Sequence, residues 1–286
     1  MPRRTWRRAK TPIDDTLHDV VLGSVGSYAV GDDGHILKRD EEGQRWGTIV
    51  KNGPTGNGST LRAAATTDDE ATLWVVGASG AIGEYDVETG ELESRTIPGN
   101  EETYTDIAVR GPAGHETLYV TDTSGAIHST IGYGADREWD RIEPGSGDEL
   151  STIGFHGGTG YAADTDGVVF RSVDGSSWTT AIDNGDVPFY ALTFDAAGTV
   201  WVAGDEDVYH PGEDRWVVEQ AADDTLYDIT LAQDELVAVS SGGDAVVRVD
   251  EEWEARALPQ DEPMMAVAAD GERTVVVGES GTILEA

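Results

Sequence analysis

Short apolar segments separated by Gly- and Asp-rich turns recur along the whole chain. In each unit, a run of β-branched or aromatic residues ends in a turn and is followed by a second short apolar run, as in Tyr28-Ala-Val-Gly-Asp-Asp-Gly34-His-Ile. The unit occurs seven times at intervals of 37 to 46 residues, with equivalent turn positions at Gly34, Gly80, Gly125, Gly167, Asp207, Asp244 and Gly281. A repeat of this length is typical of proteins in which small sheets stack on one another.

Two further apolar segments flank this pair in every unit. An apolar-x-x-apolar segment precedes it, starting at Leu17, Leu61, Tyr104, Leu150, Phe189, Leu226 and Met264. A fourth segment follows it and usually opens at a tryptophan, namely Trp46, Trp139, Trp178, Trp216 and Trp253, with Leu92 in the second unit. Four short alternating strands form a small antiparallel sheet. Such a sheet cannot bury both faces alone, but seven arranged radially can, which predicts an all-β, seven-bladed β-propeller as one domain over residues 1–286.

The two ends of the chain complement each other in this scheme. The seventh unit stops at Ala286, after its third strand. Trp6 precedes Leu17 by 11 residues, the same offset that separates Trp253 from Met264. We therefore predict that residues 5–10 supply the fourth strand of the last blade and close the ring, which protects the terminal blades.

The segment Arg171-Ser-Val-Asp-Gly-Ser-Ser-Trp178 carries the best local match to a known repeat. It is similar to the Asp-box turn of BNR repeats, one residue shorter than usual, and the whole unit resembles BNR/YVTN-type propeller repeats, among them the photosystem II assembly-factor-like group. The resemblance implies that the box is a structural hairpin. Repeats of this type occur in sialidases, assembly chaperones and surface proteins, so the resemblance implies the fold and leaves the activity open.

The charge balance is strongly acidic. Asp and Glu total 55 against 19 Lys and Arg, which gives a net charge of −36, and only three of the basic residues are Lys. The carboxylates are spread evenly between apolar segments. Such a shell repels itself in dilute salt and is screened at molar salt, where the Debye length is about 3 Å. This composition resembles that of haloarchaeal proteins surrounded by high concentrations of salt cations, the alternative being an ordinary acidic protein. The net negative charge argues against nucleic acid as a partner, because it repels the phosphate backbone.

Localisation signals are weak. No apolar run of 18 residues is present, so we expect no membrane insertion. The N-terminus is basic, but Asp14 and Asp15 stand where a signal peptide has its apolar stretch, so we expect no signal peptide and a cytoplasmic protein or a virion component. The absence of Cys excludes disulfides and thiolate metal sites.

Catalytic motifs are absent from the sequence. It has no phosphate-binding glycine loop, His-Glu-x-x-His segment or Gly-x-Ser-x-Gly elbow, and we cannot place the arginine trio and Tyr–Glu pair that a sialidase would need. His156-Gly-Gly-Thr-Gly160 is interpreted as a hairpin turn. The acidic turns, such as Asp32-Asp33-Gly34, suit Ca²⁺ or Mg²⁺ as well as a purely hydrated surface. We therefore expect no cofactor, apart from the option of these cations.

The best candidate site residues lie just inside the first strands, where a propeller has its axial channel. His18, Arg62, Tyr190 and Tyr227 suit recognition of a peptide or sugar, the alternative being channel filler together with Thr105, Ser151 and Met265. A second candidate is a basic arm that either guards the edge strand or docks onto an acidic neighbour, formed by Arg3, Arg4, Arg7 and Arg8.

The leading hypothesis is a non-catalytic propeller that serves as a protein-interaction scaffold or assembly factor in an extreme halophile. The first alternative is a propeller that binds a glycan or receptor and is displayed on an exterior such as a haloarchaeal virion. The second is a hydrolase or lyase, which would place two carboxyl groups about 5–9.5 Å apart at the channel mouth if it cleaved glycosides.

Overall fold

The computed structural model describes residues 5–40, 45–134, 137–145, 147–185, 187–270 and 272–286. Within them the chain forms seven four-stranded antiparallel sheets, the blades of a β-propeller, as predicted. The strands of blades 1 to 4, each written from the first strand to the fourth, are β2 (Leu17–Leu22), β3 (Ser27–Gly31), β4 (Ile36–Asp40), β5 (Arg45–Val50); β6 (Leu61–Thr66), β7 (Thr72–Gly77), β8 (Ile82–Asp86), β9 (Leu92–Ser94); β10 (Tyr104–Arg110), β11 (Thr117–Asp122), β12 (Ile127–Ile131), β13 (Glu138–Ile142); and β14 (Leu150–His156), β15 (Thr159–Asp164), β16 (Val168–Ser172), β17 (Trp178–Asp183).

Blades 5 to 7 continue the same order. Their strands are β18 (Ala191–Phe194), β19 (Val200–Gly204), β20 (Asp207–Pro211), β21 (Trp216–Gln220); β22 (Leu226–Ala232), β23 (Glu235–Ser240), β24 (Ala245–Val249), β25 (Glu252–Arg256); and β26 (Met264–Ala269), β27 (Thr274–Gly278), β28 (Ile283–Glu285), with β1 (Arg7–Arg8) as the fourth. A 3₁₀ turn, Asp32–Gly34, joins β3 to β4. In blade 5 the first strand begins at Ala191, two residues after the predicted Phe189.

The first strands form the inner ring. Each contacts the first strands of both neighbouring blades, from β2 through β6, β10, β14, β18, β22 and β26 back to β2. The apolar core lies between the sheets. In one cluster, for example, Tyr28 and Val30 of blade 1 pack with Leu61 and Val75 of blade 2. Complete burial of one such side chain contributes roughly 1.5–3 kcal/mol, so the stacking of blades on one another is what stabilises the ring.

The first strands share one irregularity near their start. In blade 1 Leu17 pairs with Gly31 and Asp19 pairs with Val30, so that His18 is an extra residue in a β-bulge. The same register shift occurs in blades 2, 3, 4, 6 and 7. A bulge re-aims the inserted side chain and twists the strand. It therefore sets the direction of the side chains that the sequence suggests for the channel mouth.

The N-terminal strand completes the last blade. Arg7 pairs with Glu285 and Arg8 with Leu284, and the Ala9 amide donates to the Ile283 carbonyl at 2.9 Å. Trp6 packs on the apolar cluster that contains Leu284. The predicted closure is therefore confirmed.

The predicted bounds of this strand, residues 5–10, are too long. Only Arg7–Arg8 form the strand, and Lys10 instead bridges Arg45 of blade 1, where the Trp46 amide donates to the Lys10 carbonyl at 3.0 Å. The chain turns away early because it must pass from blade 7 into blade 1 within a few residues.

A buried ion pair reinforces this junction between blades 7 and 1. Glu285 accepts hydrogen bonds from Arg39 Nε at 2.8 Å and Trp46 Nε1 at 3.0 Å. The side chains of Arg39 and Glu285 are each only 10% exposed. Burial alone would raise the pKa of Glu285, but the hydrogen bonds from Arg39 and Trp46 outweigh it and lower that pKa.

Candidate functional site at the channel mouth

One face of the propeller, called here the mouth face, is built from the turns between second and third strands and from the loops that link successive blades. The two sets of segments hydrogen-bond to each other: Gly80 N donates to Glu102 O at 2.8 Å, and Gly281 N donates to Asp15 O at 2.9 Å. The contact is closest at Gly281, which has φ of +61° and where a Cβ would lie 2.0 Å from the Ile13 carbonyl oxygen. The predicted site residues stand at this face, since the first strands start there.

Two of the four predicted residues gather around Asp32. His18 Nε2 lies 2.9 Å from Asp32 Oδ1, which also accepts a hydrogen bond from Thr60 Oγ1 at 3.0 Å. Burial opposes ionisation of Asp32, but the hydrogen bonds from His18 and Thr60, together with the nearby Arg62 charge, lower its pKa. This group is an ordered, ionised carboxylate beside an imidazole and a guanidinium.

The other two predicted residues form an aromatic pair between blades 5 and 6. The rings of Tyr190 and Tyr227 are perpendicular, with centroids 6.0 Å apart. Burial raises the pKa of Tyr190, and the neighbouring Tyr227, Asp205 and Glu149 raise it further. Aromatic faces flanked by carboxylates suit a cationic group. Among the described residues, no hydrogen bond or ring contact joins this pair to the His18 group.

Ser151 and Thr105, which the sequence offers as channel filler, make hydrogen bonds within the inner ring of strands. Ser151 Oγ donates to Phe189 O at 2.6 Å, and Thr105 Oγ1 lies 2.8 Å from Thr121 Oγ1. Both hydroxyls are therefore used in packing between strands.

Three aspartates of the first strands are the functional groups that sequence reasoning missed. Asp19 Oδ1 accepts from the Val20 amide at 2.7 Å, and its Oδ2 accepts from the Ala64 amide of the next blade at 2.7 Å. Asp106 and Asp228 make the same two kinds of bond, to their own strands and to blades 4 and 7. Each carboxylate therefore joins the inner strands of two neighbouring blades.

These three buried carboxyls repel one another. Burial raises the pKa of Asp19 to about 7 and that of Asp106 to about 6, and it raises the pKa of Asp228 well above the usual range. Repulsion from Asp106 adds to the rise at Asp19, and repulsion from Asp19 and Asp106 adds to the rise at Asp228. The signal in the sequence is Leu17-His-Asp-Val, with its counterparts Tyr104-Thr-Asp-Ile and Leu226-Tyr-Asp-Ile, where other blades have Ala or Thr in place of Asp.

Turns between second and third strands use some of their carboxylates to cap backbone amides, including Asp164 in one of the acidic turns considered for cation binding. Asp122 Oδ1 accepts from the Ser124 and Ala126 amides, both at 2.9 Å, and Asp164 Oδ1 accepts from the Val168 amide at 2.7 Å. Across the part of the chain that the structure describes, no group of three or more His, Asp or Glu side chains is arranged to hold a metal ion. Binding of Ca²⁺ or Mg²⁺ stays a prediction.

Two sequence motifs of blade 4 adopt the predicted hairpins. In the segment that resembles an Asp box, Asp174 Oδ1 accepts from the Ser176 and Ser177 amides at 2.9 and 2.8 Å, and these bonds lower its pKa to about 2. Gly157 and Gly158 of His156-Gly-Gly-Thr-Gly160 form the turn between β14 and β15.

The predicted basic arm is only partly visible. Arg3 and Arg4 lie outside the described residues. Arg7 and Arg8 are exposed on the edge strand, and Arg8 Nη2 donates to Thr282 Oγ1 at 2.9 Å. A role of these arginines in docking stays a prediction. None of the helical turns in the described residues is long and apolar enough to cross a membrane.

Comparison with known proteins relates this chain to others through its fold. No family model and no curated protein matches the sequence. A structure of a catalytically inactive variant of virginiamycin B lyase from Staphylococcus aureus with quinupristin has a TM-score of 0.85 at 13% identity, covering 98% of both chains. The WD40 repeats of RRP9 give 0.81 at 13% identity, covering 98% of this chain and 96% of theirs. YCF48 bound to D1 peptide gives 0.79 at 13% identity, covering 100% of this chain and 97% of its own. At these identities the likeness shows a shared seven-bladed propeller fold and assigns no family.

Proposed function

We propose that this protein is a non-catalytic propeller that binds a cationic segment of a protein partner at its mouth face and acts as an interaction scaffold or assembly factor. The observation that carries the proposal is the perpendicular pair of Tyr190 and Tyr227 beside Asp205 and Glu149. A lysine or arginine side chain inserted there would contact aromatic faces and carboxylates together. A cation over an aromatic face contributes roughly 0.5–2 kcal/mol, depending on how far it is desolvated.

The electrostatics of the whole face favour the same partner. Exposed basic side chains on its linking loops and at the starts of its first strands include Lys10, Lys51, Arg62 and Arg95. Exposed acidic side chains are far more numerous, namely Asp14, Asp33, Glu101, Glu102, Asp148, Asp205, Glu206, Asp223, Asp224, Asp244, Asp261 and Glu279. A surface of one sign steers oppositely charged partners and repels like ones.

The comparisons support a peptide-sized partner at the level of the fold. YCF48, a propeller of the same architecture, has been captured with a D1 peptide. In this proposal the protein works in a cell with molar salt, where its net charge of −36 is screened and short-range contacts such as the tyrosine pair provide the specificity.

The test uses a short Arg/Lys-rich peptide and an acidic peptide of equal length, titrated calorimetrically at about 0.5 M KCl, where screening is already strong. We expect saturable binding of the basic peptide alone. Tyr227→Ala should weaken it roughly 2- to 30-fold. Tyr133→Ala, which alters a half-exposed tyrosine outside the mouth face, should leave it unchanged.

Two outcomes would overturn the proposal. Binding of neutral oligosaccharides in place of the basic peptide would favour the exterior glycan-binding alternative. Turnover of a substrate would favour the enzyme alternative, for which the His18–Asp32 contact offers an acid–base pair. Quinupristin, present in the lyase structure, is the first substrate to try, and we expect no turnover.

A further inference from the structure

A cleft outside the mouth face combines a cation, an imidazole and exposed aromatic surface. It has a volume of about 700 Å³ and lies among blades 2, 3 and 4. Its walls include Arg110 at the end of β10, His115 in the following turn, Tyr133 after β12, and Phe155 near the end of β14. It is a separate site from the tyrosine pair at the mouth.

Arg110 is held in a fixed orientation. Its guanidinium carbon lies 4.8 Å from the centroid of the Phe155 ring, and its Nη2 donates to the Gly157 carbonyl at 2.7 Å. Phe155 is itself fixed by Tyr119 and Trp178, with ring centroids 4.4 and 6.0 Å away. The cation is therefore preorganised, which lowers the cost of binding to it.

Arg110 also lacks the carboxylate partner that most buried or ordered arginines of this chain have. Arg39, Arg137 and Arg248, for example, each pair with a glutamate. Among the described residues, no carboxylate oxygen lies within 4.0 Å of the Arg110 guanidinium. In a chain with 55 acidic residues, an oriented guanidinium with remaining donors is suited to an anion from outside.

The opposite wall supplies aromatic surface. Tyr133 is 50% exposed, and its ring meets His115 edge to face with centroids 5.4 Å apart. One carboxylate, Asp68, stands at the margin of the cleft. The open part of the wall therefore suits a flat apolar group next to the anion.

From this geometry we propose that the cleft binds a carboxylate attached to an aromatic or apolar group, with the carboxylate on Arg110 and the apolar group against Tyr133. A small aromatic acid and the C-terminal residue of a peptide share this chemistry. The proposal is independent of the function proposed for the mouth face.

The test measures binding of phenylacetate, N-acetylphenylalanine and N-acetylphenylalanine amide by calorimetry in about 1 M KCl, where the net charge of the protein is screened. We expect saturable binding of the acids and at least tenfold weaker binding of the amide, because the charge-assisted hydrogen bonds to Arg110 are lost. Preference for N-acetylphenylalanine would identify a peptide C-terminus as the ligand, and preference for phenylacetate a small acid.

Variants assign the binding to the cleft. Arg110→Gln should weaken acid binding at least tenfold, and Tyr133→Ser should weaken it several-fold without loss of fold, since the tyrosine is half exposed. Arg171→Gln, at an exposed arginine of blade 4, and Tyr227→Ala at the mouth should bind as the parent does. Equal binding of acid and amide, no saturable binding of either acid, or unchanged binding by both cleft variants would overturn the proposal.

Discussion

The channel aspartates give the propeller a pH dependence that can be worked out from Asp19. Its pKa rises from 3.8 to about 7 on folding, because burial disfavours the charged form. A raised carboxyl pKa stabilises the folded state at low pH, and this stabilisation is lost as the pH rises from the unfolded value through the folded one. Each pKa unit corresponds to about 1.36 kcal/mol. The full contribution is therefore about 4 kcal/mol, of which about 2 kcal/mol is lost between about pH 5.5 and 8.

The measurement compares the thermal unfolding of the parent protein with that of Asp19→Asn at pH values between about 5.5 and 8. A constant concentration of about 1 M KCl keeps surface charges screened. For a chain of this size, 2 kcal/mol corresponds to about 3 °C in Tm, so Asp19 alone should lower the parent's Tm by about 3 °C at the alkaline end. The raised pKa values of Asp106 and Asp228 should add to this decrease.

Asp19→Asn separates the contribution of Asp19 to the pH dependence of Tm from that of the other carboxyls. In Asp19→Asn the difference in Tm between about pH 5.5 and 8 should shrink by most of the roughly 3 °C that Asp19 contributes in the parent. Tm should also fall at about pH 5.5, because Asp19 accepts through two oxygens and Asn places an NH2 donor against either the Val20 or the Ala64 amide. Asp234→Asn, at an exposed turn of blade 6, removes the same charge and should retain the parent slope. A parent whose Tm increases with pH, or an unchanged slope in Asp19→Asn, would refute the reasoning.

Three more predictions concern stability and are checked by thermal melting. Glu285→Gln should cost about 3–5 kcal/mol, because it removes the buried carboxylate that accepts hydrogen bonds from Arg39 and Trp46, whereas Glu254→Gln at a more exposed ion pair should cost less than about 1 kcal/mol. Because its pKa is lowered, Glu285 should contribute to stability above pH 4.5, and this contribution should be lost as the pH falls below that value. An equal loss of stability in Glu285→Gln and Glu254→Gln would contradict the role of the buried pair. Asp174→Ala should lower Tm by freeing two turn amides, and an unchanged Tm would show that the hairpin does not depend on them. Dilution from about 2 M to 0.1 M KCl should lower Tm through unscreened repulsion, and a constant Tm would argue against adaptation to high salt.

The fold was accessible from the sequence because the pattern repeats. Turn glycines such as Gly34 recur at regular intervals, and the 11-residue offset from Trp6 to Leu17 identifies the closing strand from the sequence alone. The limits of that strand were not accessible. Lys10 leaves it to pair with blade 1, and this depends on the path between two blades rather than on local preference.

The site was predictable only in part. The sequence predicts that the residue after the first apolar residue of each blade lies just inside the first strand, and in blade 1 that residue, His18, is the extra residue of a β-bulge. Alternation alone does not reveal that the next residue, Asp19, bonds across to another blade, because that contact depends on the ring geometry. The cleft around Arg110 was missed for a similar reason, since its walls combine separate segments of three successive blades.

The closed ring is tested most directly by one engineered disulfide, since the chain has no cysteine of its own. Arg8 and Leu284 lie directly opposite each other in the antiparallel pair of β1 and β28, at a position where the two residues are not hydrogen-bonded to each other. Their Cα atoms should therefore lie about 4.5–5.5 Å apart, within reach of a disulfide. Arg8→Cys combined with Leu284→Cys should oxidise completely in the folded protein. Its oxidised form should melt above its own reduced form, with a stabilisation of up to about 5 kcal/mol from the closed loop, whereas the reduced form should melt below the parent because Leu284 is buried in the core. Arg8→Cys combined with Val218→Cys, which places the second thiol on the outer strand of blade 5, should stay reduced. Failure of the first pair to form in folded protein, or equal oxidation of both pairs, would contradict a propeller closed by its N-terminal strand.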